Sequence, residues 1–371
     1  MNGVIELPRV SECQLSEVIQ DLPEIQPFDV TQVAGGAALF LCVLGFEGRC
    51  LEMPTLLAEN GFTATAVRYI EYSTNRADNE SNRIPLVQQL KRISGDVQSI
   101  ECDNGLFTTE LRELLQSLLS EKDIAQPRVV FDFTVAANRL LMPCLKVLLE
   151  SNIALTILYS EAAIYHPTLA EYERDMASWT DEEFLGIERG ISNIAISEEY
   201  QGHHLDQLPD CVILFPSIKW KRSKAIINEV DPALITSPRD KVIWLLGQPH
   251  SEQDSWRIEA MRNVNSLDST SSVHEVSSFN YRDSLRTLEQ IYQDKGDFVR
   301  FTLAPMGSNM QTLGTALFCY LRPSVRVILA TPEEYNALNY SEGCKARWAI
   351  DFGLMQNVRD RLDRVGTLSI Q

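Results

Sequence analysis

Four short segments of the chain combine glycine, small polar residues and cations in a way that suits the binding of an anion. Each follows an apolar run and precedes a helical pattern. Glycine lets backbone N–H groups approach a ligand, and the positive end of the following helix attracts negative charge. We therefore predict that these segments contact a small anionic ligand. The predicted ligand-binding residues are Gly45, Glu47, Arg49, Thr134, Asn138, Arg139, Lys219, Trp220, Arg222, Gly307, Ser308 and Asn309.

Two of these segments lie in the first half of the chain. Residues 45–49 contain two glycines, and Arg49 is placed to pair with a phosphate. The alternative is a tight turn in which Glu47 and Arg49 pair with each other. Residues 134–139 place small residues before Asn138, which fits a helix N-cap. Arg139 would then place its positive charge at the positive end of the helix dipole. This placement is unfavourable for stability, which points to a ligand.

The third segment, residues 219–222, has three cations and Trp220 at four consecutive positions. A clamp for a phosphate and a base needs these residue types, because the indole stacks and the cations neutralise charge. The alternative is a solvated helix start with the tryptophan in the core. In the fourth segment, Gly307 and Ser308 are suited to form an anion nest before a helix. Its alternative is an ordinary turn with Asn309 as the helix cap.

Sequence signatures of catalysis and of metal binding are missing. The chain contains no HExxH, GxSxG, Walker A or metal-spaced carboxylate motif, so we assign no catalytic residue, metal or cofactor. Its eight cysteines form no CxxC pair, which favours buried free thiols. Asp132 is an acid on a predicted strand, but a spacing of 168 residues aligns it with Arg300, so the two halves do not share it.

Net charge and hydropathy limit the classes of partner. The formal net charge is −18, with 51 acidic and 33 basic residues. The electrostatic field of so negative a protein repels phosphate backbones at long range, so direct nucleic-acid binding is disfavoured. A small nucleotide in a locally basic pocket is still compatible with this net charge. No apolar run reaches the roughly 18 residues of a membrane helix. The N-terminus lacks the pattern of a signal peptide, and we expect a cytoplasmic protein without membrane contact.

The four segments must be positioned by an alternation of strands and helices. Continuously apolar runs alternate with helical patterns, which is typical of parallel sheets covered on both faces. The predicted strands are 38–45, 64–71, 97–101, 129–133, 154–159, 211–215, 242–246, 274–278, 298–303 and 325–330. The predicted helices between them are 52–60, 84–93, 108–120, 139–151, 222–230, 256–264, 282–292 and 310–320. Further helices are predicted at 170–176, 181–187 and 357–365, and an edge strand at 349–352.

The order of elements in the first half recurs in the second. Phe133 and Phe301 are 168 residues apart, and Asn138 and Asn309 are 171 apart. We therefore predict an α/β fold of two tandem Rossmann-like units with mainly parallel sheets, joined by a partly helical linker. The alternative is one large α/β domain. The predicted boundaries are 1–36 for an N-terminal segment, 37–165 for unit 1, 166–207 for the linker, 208–335 for unit 2 and 336–371 for a C-terminal extension.

Two segments carry a resemblance to a known family, VVFDFTVAANRLL and FTLAPMGSNMQTL. Fused Rossmann-like units with such turns and no catalytic signature resemble the CARF and SAVED domains, which are cyclic-oligonucleotide sensors of prokaryotic antiviral systems. The resemblance implies a sensing role in a defence complex. It also implies a separate effector chain as partner, because those sensors usually carry a fused effector and the flanking segments here are short. The residues it places in the ligand crevice are Thr134, Asn138, Gly307, Ser308 and Asn309.

Three functions fit the sequence. The first is a nucleotide-sensing or adaptor subunit that acts through a protein partner. The second is an enzyme on nucleotides or nucleic-acid ends that uses Asp132 with Glu47 and Arg49. The acidic surface and the missing catalytic motifs favour the first. The third is a structural subunit whose crevices are plugged by its own bulky side chains, Phe46, Met306 and Trp220.

Overall fold

The chain divides into two compact units. The computed structural model describes residues 12–368, apart from residues 74, 103–105, 121–125, 178–187, 203–207, 237–239, 297 and 338–339. The first body comprises Pro23–Asn193 and Thr331–Met355. The second body comprises Met1–Leu22, Ile194–Ala330 and Gln356–Gln371.

Helices and strands are numbered in chain order. The helices are α1 (Glu12–Gln20), α2 (Glu52–Glu59), α3 (Arg76–Ile93), α4 (Phe107–Ser120), α5 (Asn138–Glu150), α6 (Leu169–Ala177), α7 (Trp220–Val230), α8 (Ala233–Thr236), α9 (Trp256–Val264), α10 (Tyr281–Lys295), α11 (Asn309–Leu321) and α12 (Met355–Leu368). The strands are β1 (Gln26–Pro27), β2 (Ala37–Val43), β3 (Ala64–Glu71), β4 (Val97–Glu101), β5 (Arg128–Asp132), β6 (Ala154–Tyr165), β7 (Glu188–Arg189), β8 (Asn193–Ile196), β9 (Asp210–Leu214), β10 (Val242–Gln248), β11 (Ser272–Ser277), β12 (Arg300–Ala304), β13 (Arg326–Thr331), β14 (Glu334–Tyr335) and β15 (Ser341–Leu354). Among the described residues, no helix is long and apolar enough to span a membrane.

The first body is built on a seven-stranded sheet in the order β1–β15–β6–β5–β2–β3–β4. The five strands from β6 to β4 in this order pair in parallel. Read from the β4 end and numbered along the chain, they follow the order 3-2-1-4-5 of a Rossmann half. β15 and β1 extend the sheet in antiparallel pairing. The central strands are buried on both faces, as their continuous apolar runs require, and Phe40, Val67 and Val130 share one core cluster.

The second body repeats this layout in a six-stranded sheet of order β11–β10–β9–β12–β13–β8. The strands from β11 to β13 pair in parallel and again follow the order 3-2-1-4-5. Its core includes Val212, Leu214 and Trp244 from the first two of these strands. The predicted fold class is therefore confirmed as α/β, with two Rossmann-like units and mainly parallel sheets.

The structure corrects the alignment of the two halves by four residues. β5 and β12 both begin with arginine, and Arg128 and Arg300 are 172 residues apart, against the predicted spacing of 168. Asp132 therefore corresponds to Ala304 and not to Arg300. The error arose because a continuously apolar strand matches a shifted copy of itself almost equally well.

The segments that flank the predicted units belong to the two bodies. β15 runs antiparallel to β6 from Ser341 to Leu354, so the predicted edge strand 349–352 lies inside the sheet, between β6 and the two-residue β1. α12 contains the predicted helix 357–365, and α6 contains the predicted helix 170–176. The predicted helix 181–187 lies outside the described residues.

Candidate functional site

In the first body, the turns after β2 and β5 meet at the carboxyl edge of the sheet, where its parallel strands end. This position lies between strands one and four of the 3-2-1-4-5 order, where ligands bind in open α/β sheets. A Cβ atom on Gly45 would lie 3.0 Å from Cγ2 of Val135, so a larger residue there would push the turns apart. The structure therefore brings the first two predicted segments together.

Arg49 is buried at this edge, and all three nitrogens of its guanidinium donate hydrogen bonds within the first body. Nη2 donates to Oε2 of Glu47 at 2.6 Å, and Nη1 donates to the carbonyl oxygen of Ser160 at 2.6 Å. Nε donates to Oγ of Ser341 at 3.1 Å, and the Ser341 hydroxyl in turn donates to Glu47. The two charged side chains are only 6% and 7% exposed. This geometry corresponds to the alternative in which Glu47 and Arg49 pair with each other.

Asp132 ends β5 at the same edge and is connected to Arg49 through Ser160. Its Oδ1 accepts hydrogen bonds from the backbone and the hydroxyl of Thr134. The Thr134 hydroxyl oxygen accepts the N–H of Ser160 at 2.9 Å, and the carbonyl of Ser160 accepts from Arg49. Burial raises the pKa of Asp132 to about 7, against the lowering effect of Thr134 and Arg49. This carboxyl group therefore changes its protonation near neutral pH.

The thiols near this acid are not activated for nucleophilic chemistry. Burial raises the pKa of Cys42 well above its ordinary value and that of Cys50 to about 12. Both thiols are protonated at neutral pH, and the protonated form is a poor nucleophile. Within the described part of the chain, no group of three or more His, Cys, Asp or Glu residues is arranged to hold a metal ion.

The positive end of α5 is covered by the side chain of Tyr72. The Tyr72 hydroxyl accepts the backbone N–H of Ala137 at 2.6 Å, and the guanidinium of Arg139 lies 5.1 Å from the Tyr72 ring centroid. Ala137 is the N-cap residue, and Asn138 is the first residue of the helix. Asn138 is therefore not the cap that the sequence suggested, and a protein hydroxyl takes one of the N–H groups that would face an anion.

In the second body, the third segment forms the start of α7. Lys219 is the N-cap position and Trp220 the first helical residue, and the first turn contains no acidic residue. Trp220 is half-buried, while Lys221 and Lys224 are exposed. The ammonium groups of Lys221 and Lys224 lie 5.9 Å and 4.2 Å from the Trp220 ring centroid. Neither lysine forms an ion pair with any residue that the structure describes.

The fourth segment forms the start of α11, where Ser308 and Gln311 make a capping box. Oγ of Ser308 accepts the N–H of Gln311 at 3.2 Å, and the side-chain oxygen of Gln311 accepts the N–H of Ser308 at 3.0 Å. A Cβ on Gly307 would lie 2.1 Å from that side-chain oxygen, so the capping box requires glycine at this position. Asn309 is the first residue of the helix, and the cap is Ser308.

The turns that lead into the third and fourth segments also begin side by side, at the carboxyl edge of the second body's sheet. The N–H of Phe215, which follows β9, donates to the carbonyl of Ala304 at 3.1 Å. The Cβ of Phe215 lies 3.2 Å from the position that a Cβ on Gly307 would take. Met306 is buried in the core cluster of this body, so it fills space beside the turn. Lys219, Trp220 and Arg222 thus flank the same sheet edge as the turn that contains Gly307 and Ser308.

Local sequence patterns do not identify several residues that make hydrogen bonds at these two edges. Ser341 follows Arg49 by 292 residues, and nothing in the local pattern links them. Ser160 contributes only backbone groups to the network, which any residue except proline would supply. Gln311 was visible in principle, because Ser308 followed three residues later by glutamine is a capping-box signature.

The fold and the two edges define a double Rossmann-type α/β protein with one polar edge in each body. The edge of the first body is internally hydrogen-bonded, whereas that of the second body carries exposed cations and a tryptophan. Compared with known proteins, the chain matches no family model and shows no significant similarity to any curated protein.

Proposed function

We propose that this chain is a nucleotide-sensing module that binds its ligand at the carboxyl edge of the second body and acts through a protein partner. The observation that carries the proposal is the local charge at the start of α7. Four cations, Lys219, Lys221, Arg222 and Lys224, occupy six positions of a chain whose net charge is −18. Two of them lie beside the ring of Trp220.

Lys221 and Lys224 support the proposal most directly, because neither forms an ion pair with a described residue. The amino end of a helix carries a partial positive charge, and a cation in the first turn, such as Lys221, loses about 0.3–1 kcal/mol at an exposed site. The first turn of α7 itself contains no acidic residue. An anionic ligand beside these lysines would offset this cost, which supports a phosphate-bearing molecule as the ligand.

The ring of Trp220 supports a nucleotide over a simple anion. Indole rings stack on bases, and the two neighbouring lysines would place charge next to the stacked base and its phosphate. The resemblance to the CARF and SAVED domains adds cyclic oligonucleotides as the class of ligand, an effector chain as the partner and antiviral defence as the setting. A non-catalytic role is supported by the protonated thiols and by the full engagement of Arg49.

A ligand panel tests this proposal. Mononucleotides, cyclic dinucleotides and larger cyclic oligonucleotides are added separately, and the thermal midpoint is measured. A ligand that binds only the folded state adds about 2.7 kcal/mol at 100 times its Kd, so a true ligand raises the midpoint. The absence of any rise across the panel would contradict the proposal.

Charge-reversal variants then locate the site. Lys224→Glu should weaken the binding of the active nucleotide at least about tenfold, or about 1.4 kcal/mol. Lys241→Glu is the matched control. Lys241 is also exposed, but it precedes β10 and so lies where the parallel strands begin, away from their carboxyl ends. Equal losses of nucleotide affinity in both variants would show that binding responds to the net charge of the protein and not to a site at the start of α7.

A second candidate function is that of a structural subunit with degenerate crevices. It is favoured by the edge of the first body, where Arg49 and the N-cap of α5 are satisfied by the protein's own groups. This candidate predicts no stabilisation by any nucleotide, so the same panel separates the two functions.

A further inference from the structure

The side chain of Gln311 is buried at the carboxyl edge of the second body, and the protein uses only one end of its carboxamide. The residue is the third of α11 and is 2% exposed. Its Oε1 accepts the backbone N–H of Ser308 at 3.0 Å, as part of the capping box. Its Nε2 is buried and forms no hydrogen bond with any residue that the structure describes. One buried donor therefore lacks a partner at this edge.

The capping box fixes the orientation of this carboxamide. Exchanging Oε1 and Nε2 would place an N–H donor against the N–H of Ser308, and two donors cannot bond to each other. Nε2 therefore lies on the side away from that N–H. A Cβ atom on Gly247 would lie 3.1 Å from Nε2 and 3.4 Å from Cβ of Ser278. The unpartnered donor thus faces the last residues of β10 and the turn after β11.

The carboxamide lies where open α/β sheets bind their ligands. A Cβ on Gly307, after β12, would collide with Oε1, whereas Gly247 in β10 faces Nε2. The carboxamide is therefore placed between the ends of β10 and β12, which are the two neighbours of β9 in the sheet. β9 and β12 are strands one and four of the 3-2-1-4-5 order, and the ligand crevice opens between these two strands.

The capping role alone does not explain glutamine at this position. Glutamate would form the same capping box without a spare donor, and its charge would favour the positive end of the helix. Buried polar groups in folded proteins are almost always paired with protein groups, water or a ligand, because an unpaired donor loses the hydrogen bonds that water would have given. The spare N–H groups of Gln311 therefore call for an acceptor from outside the chain.

The surroundings of Nε2 suit a phosphate oxygen as that acceptor. α11 is 13 residues long, and none of the residues in its first turn is acidic. Its positive end therefore attracts an anion. Gly247 has no side chain to fill the space beside Nε2, so an oxygen atom can approach the amide. An amide donor binds such an oxygen without burying a charge of its own.

We infer that Nε2 of Gln311 donates a hydrogen bond to a phosphate oxygen of the ligand, in the space that Gly247 leaves open. This contact makes Gln311 a specificity-determining residue, since the same carboxamide caps α11 and recognises the phosphate. The inference rests on the proposed function, because it places the phosphate of the nucleotide at that same edge. Its test uses inorganic pyrophosphate, so it does not depend on the identity of the nucleotide.

Two variants of Gln311 are titrated with pyrophosphate by calorimetry at low salt, with the full chain. Gln311→Glu keeps the acceptor for the Ser308 N–H but replaces the spare donor by an oxygen. Gln311→Met removes the donor without adding a charge. Both should bind pyrophosphate at least about tenfold more weakly than the wild-type protein, which is the loss expected for one hydrogen bond to a charged group.

A second capping box provides the matched control. Oε1 of Gln32 accepts the N–H of Asp29 at 2.8 Å, at the start of the 3-10 turn Val30–Val33 in the first body. Gln32→Glu therefore makes the same change of charge in the same kind of cap, and it should bind pyrophosphate as the wild type does.

Gly247→Ala tests the space beside Nε2 while leaving Gln311 unchanged. Its methyl group would occupy the place of the phosphate oxygen, so it should also weaken pyrophosphate binding at least about tenfold. This variant decides the question if neither variant of Gln311 folds, as judged by circular dichroism.

The outcomes separate this inference from the proposed function. Wild-type affinity in the folded variants of Gln311 and Gly247 would overturn the inference, since Nε2 would then bind only a trapped water, and would leave the nucleotide proposal standing. A wild-type protein that does not bind pyrophosphate would overturn it as well. Pyrophosphate binding that depends on Gln311, with no nucleotide of the panel bound, would support the phosphate contact and contradict the proposed function.

Discussion

Replacing Arg49 by methionine tests the view that the edge of the first body is a closed, self-satisfied network. Methionine keeps much of the side-chain length and apolar volume of arginine but removes the charge and the donors. In the variant, Glu47 keeps a buried negative charge and loses its 2.6 Å partner. The Ser160 carbonyl and the Ser341 hydroxyl lose their hydrogen bonds to the guanidinium as well.

The expected loss of stability follows from this burial. Removing one partner of a buried ion pair costs about 3–5 kcal/mol, because the remaining charge stays in a poorly solvated position. Arg76 and Glu101 provide a matched control in the same body, with an equal distance of 2.6 Å but side chains 62% and 55% exposed. Arg76→Met should therefore cost no more than about 1 kcal/mol.

Hydrogen exchange of amides in β2 and β5 measures the opening free energy of the first body separately from the second. The double variant Glu47→Gln/Arg49→Met should recover part of the loss, because it leaves no charge unpaired. A cost for Arg49→Met similar to that of Arg76→Met would refute the reasoning. In that case the network would be solvated and the arginine available to a ligand.

Three further predictions concern groups with a defined partner. Burial lowers the pKa of His166, but its hydrogen bonds to two glutamates outweigh burial, and the pKa lies above the ordinary value of 6.5. The protonated imidazole therefore contributes its full stabilisation below pH 6.5, and this stabilisation is lost as the pH rises through the raised pKa. His166→Gln should abolish this loss when urea unfolding is measured as the pH is raised above the pKa of the free imidazole. Burial raises the pKa of Asp132 to about 7, so the folded state holds this proton more tightly than the unfolded state does. The free energy of unfolding should therefore decrease as the pH is raised from about 4 to about 7, and Asp132→Asn should flatten that decrease in the same assay. Gly307→Ala should cost about 1–2 kcal/mol by calorimetry, because its Cβ collides with Gln311, whereas Gly48→Ala, with nothing within 4 Å, should be neutral.

The sequence predicted the parallel core of both bodies well, because that part of the fold is encoded locally. Buried parallel strands need apolar side chains on both faces, so they stand out as continuous runs such as Val129–Phe131. Each predicted strand of the two cores has an observed counterpart, with ends that differ by a few residues. The position of β15 beside β6 was not predictable in this way, since antiparallel pairing of distant segments leaves no local signature.

The proximity of turns at each sheet was predicted, whereas their role as a ligand site stays a prediction. The rule that ligands bind between strands one and four selected four turns. In the first body Gly45 contacts Val135, and in the second body the two turns begin side by side at Phe215 and Gly307. The same rule does not reveal which donors are already engaged. Arg49 is engaged by groups that lie 111 and 292 residues away, and only the folded chain shows them. Helix caps were displaced by one position, from Asn138 to Ala137 and from Asn309 to Ser308.

Hydrogen exchange in the presence of the nucleotide that scores highest in the thermal panel tests the central claim most directly. Binding at the carboxyl edge of the second body predicts slower exchange of amides in residues 217–224 and 306–312, with no change near Lys241 at the opposite edge. Protection confined to other parts of the chain, or no protection with any nucleotide of the panel, would contradict the account.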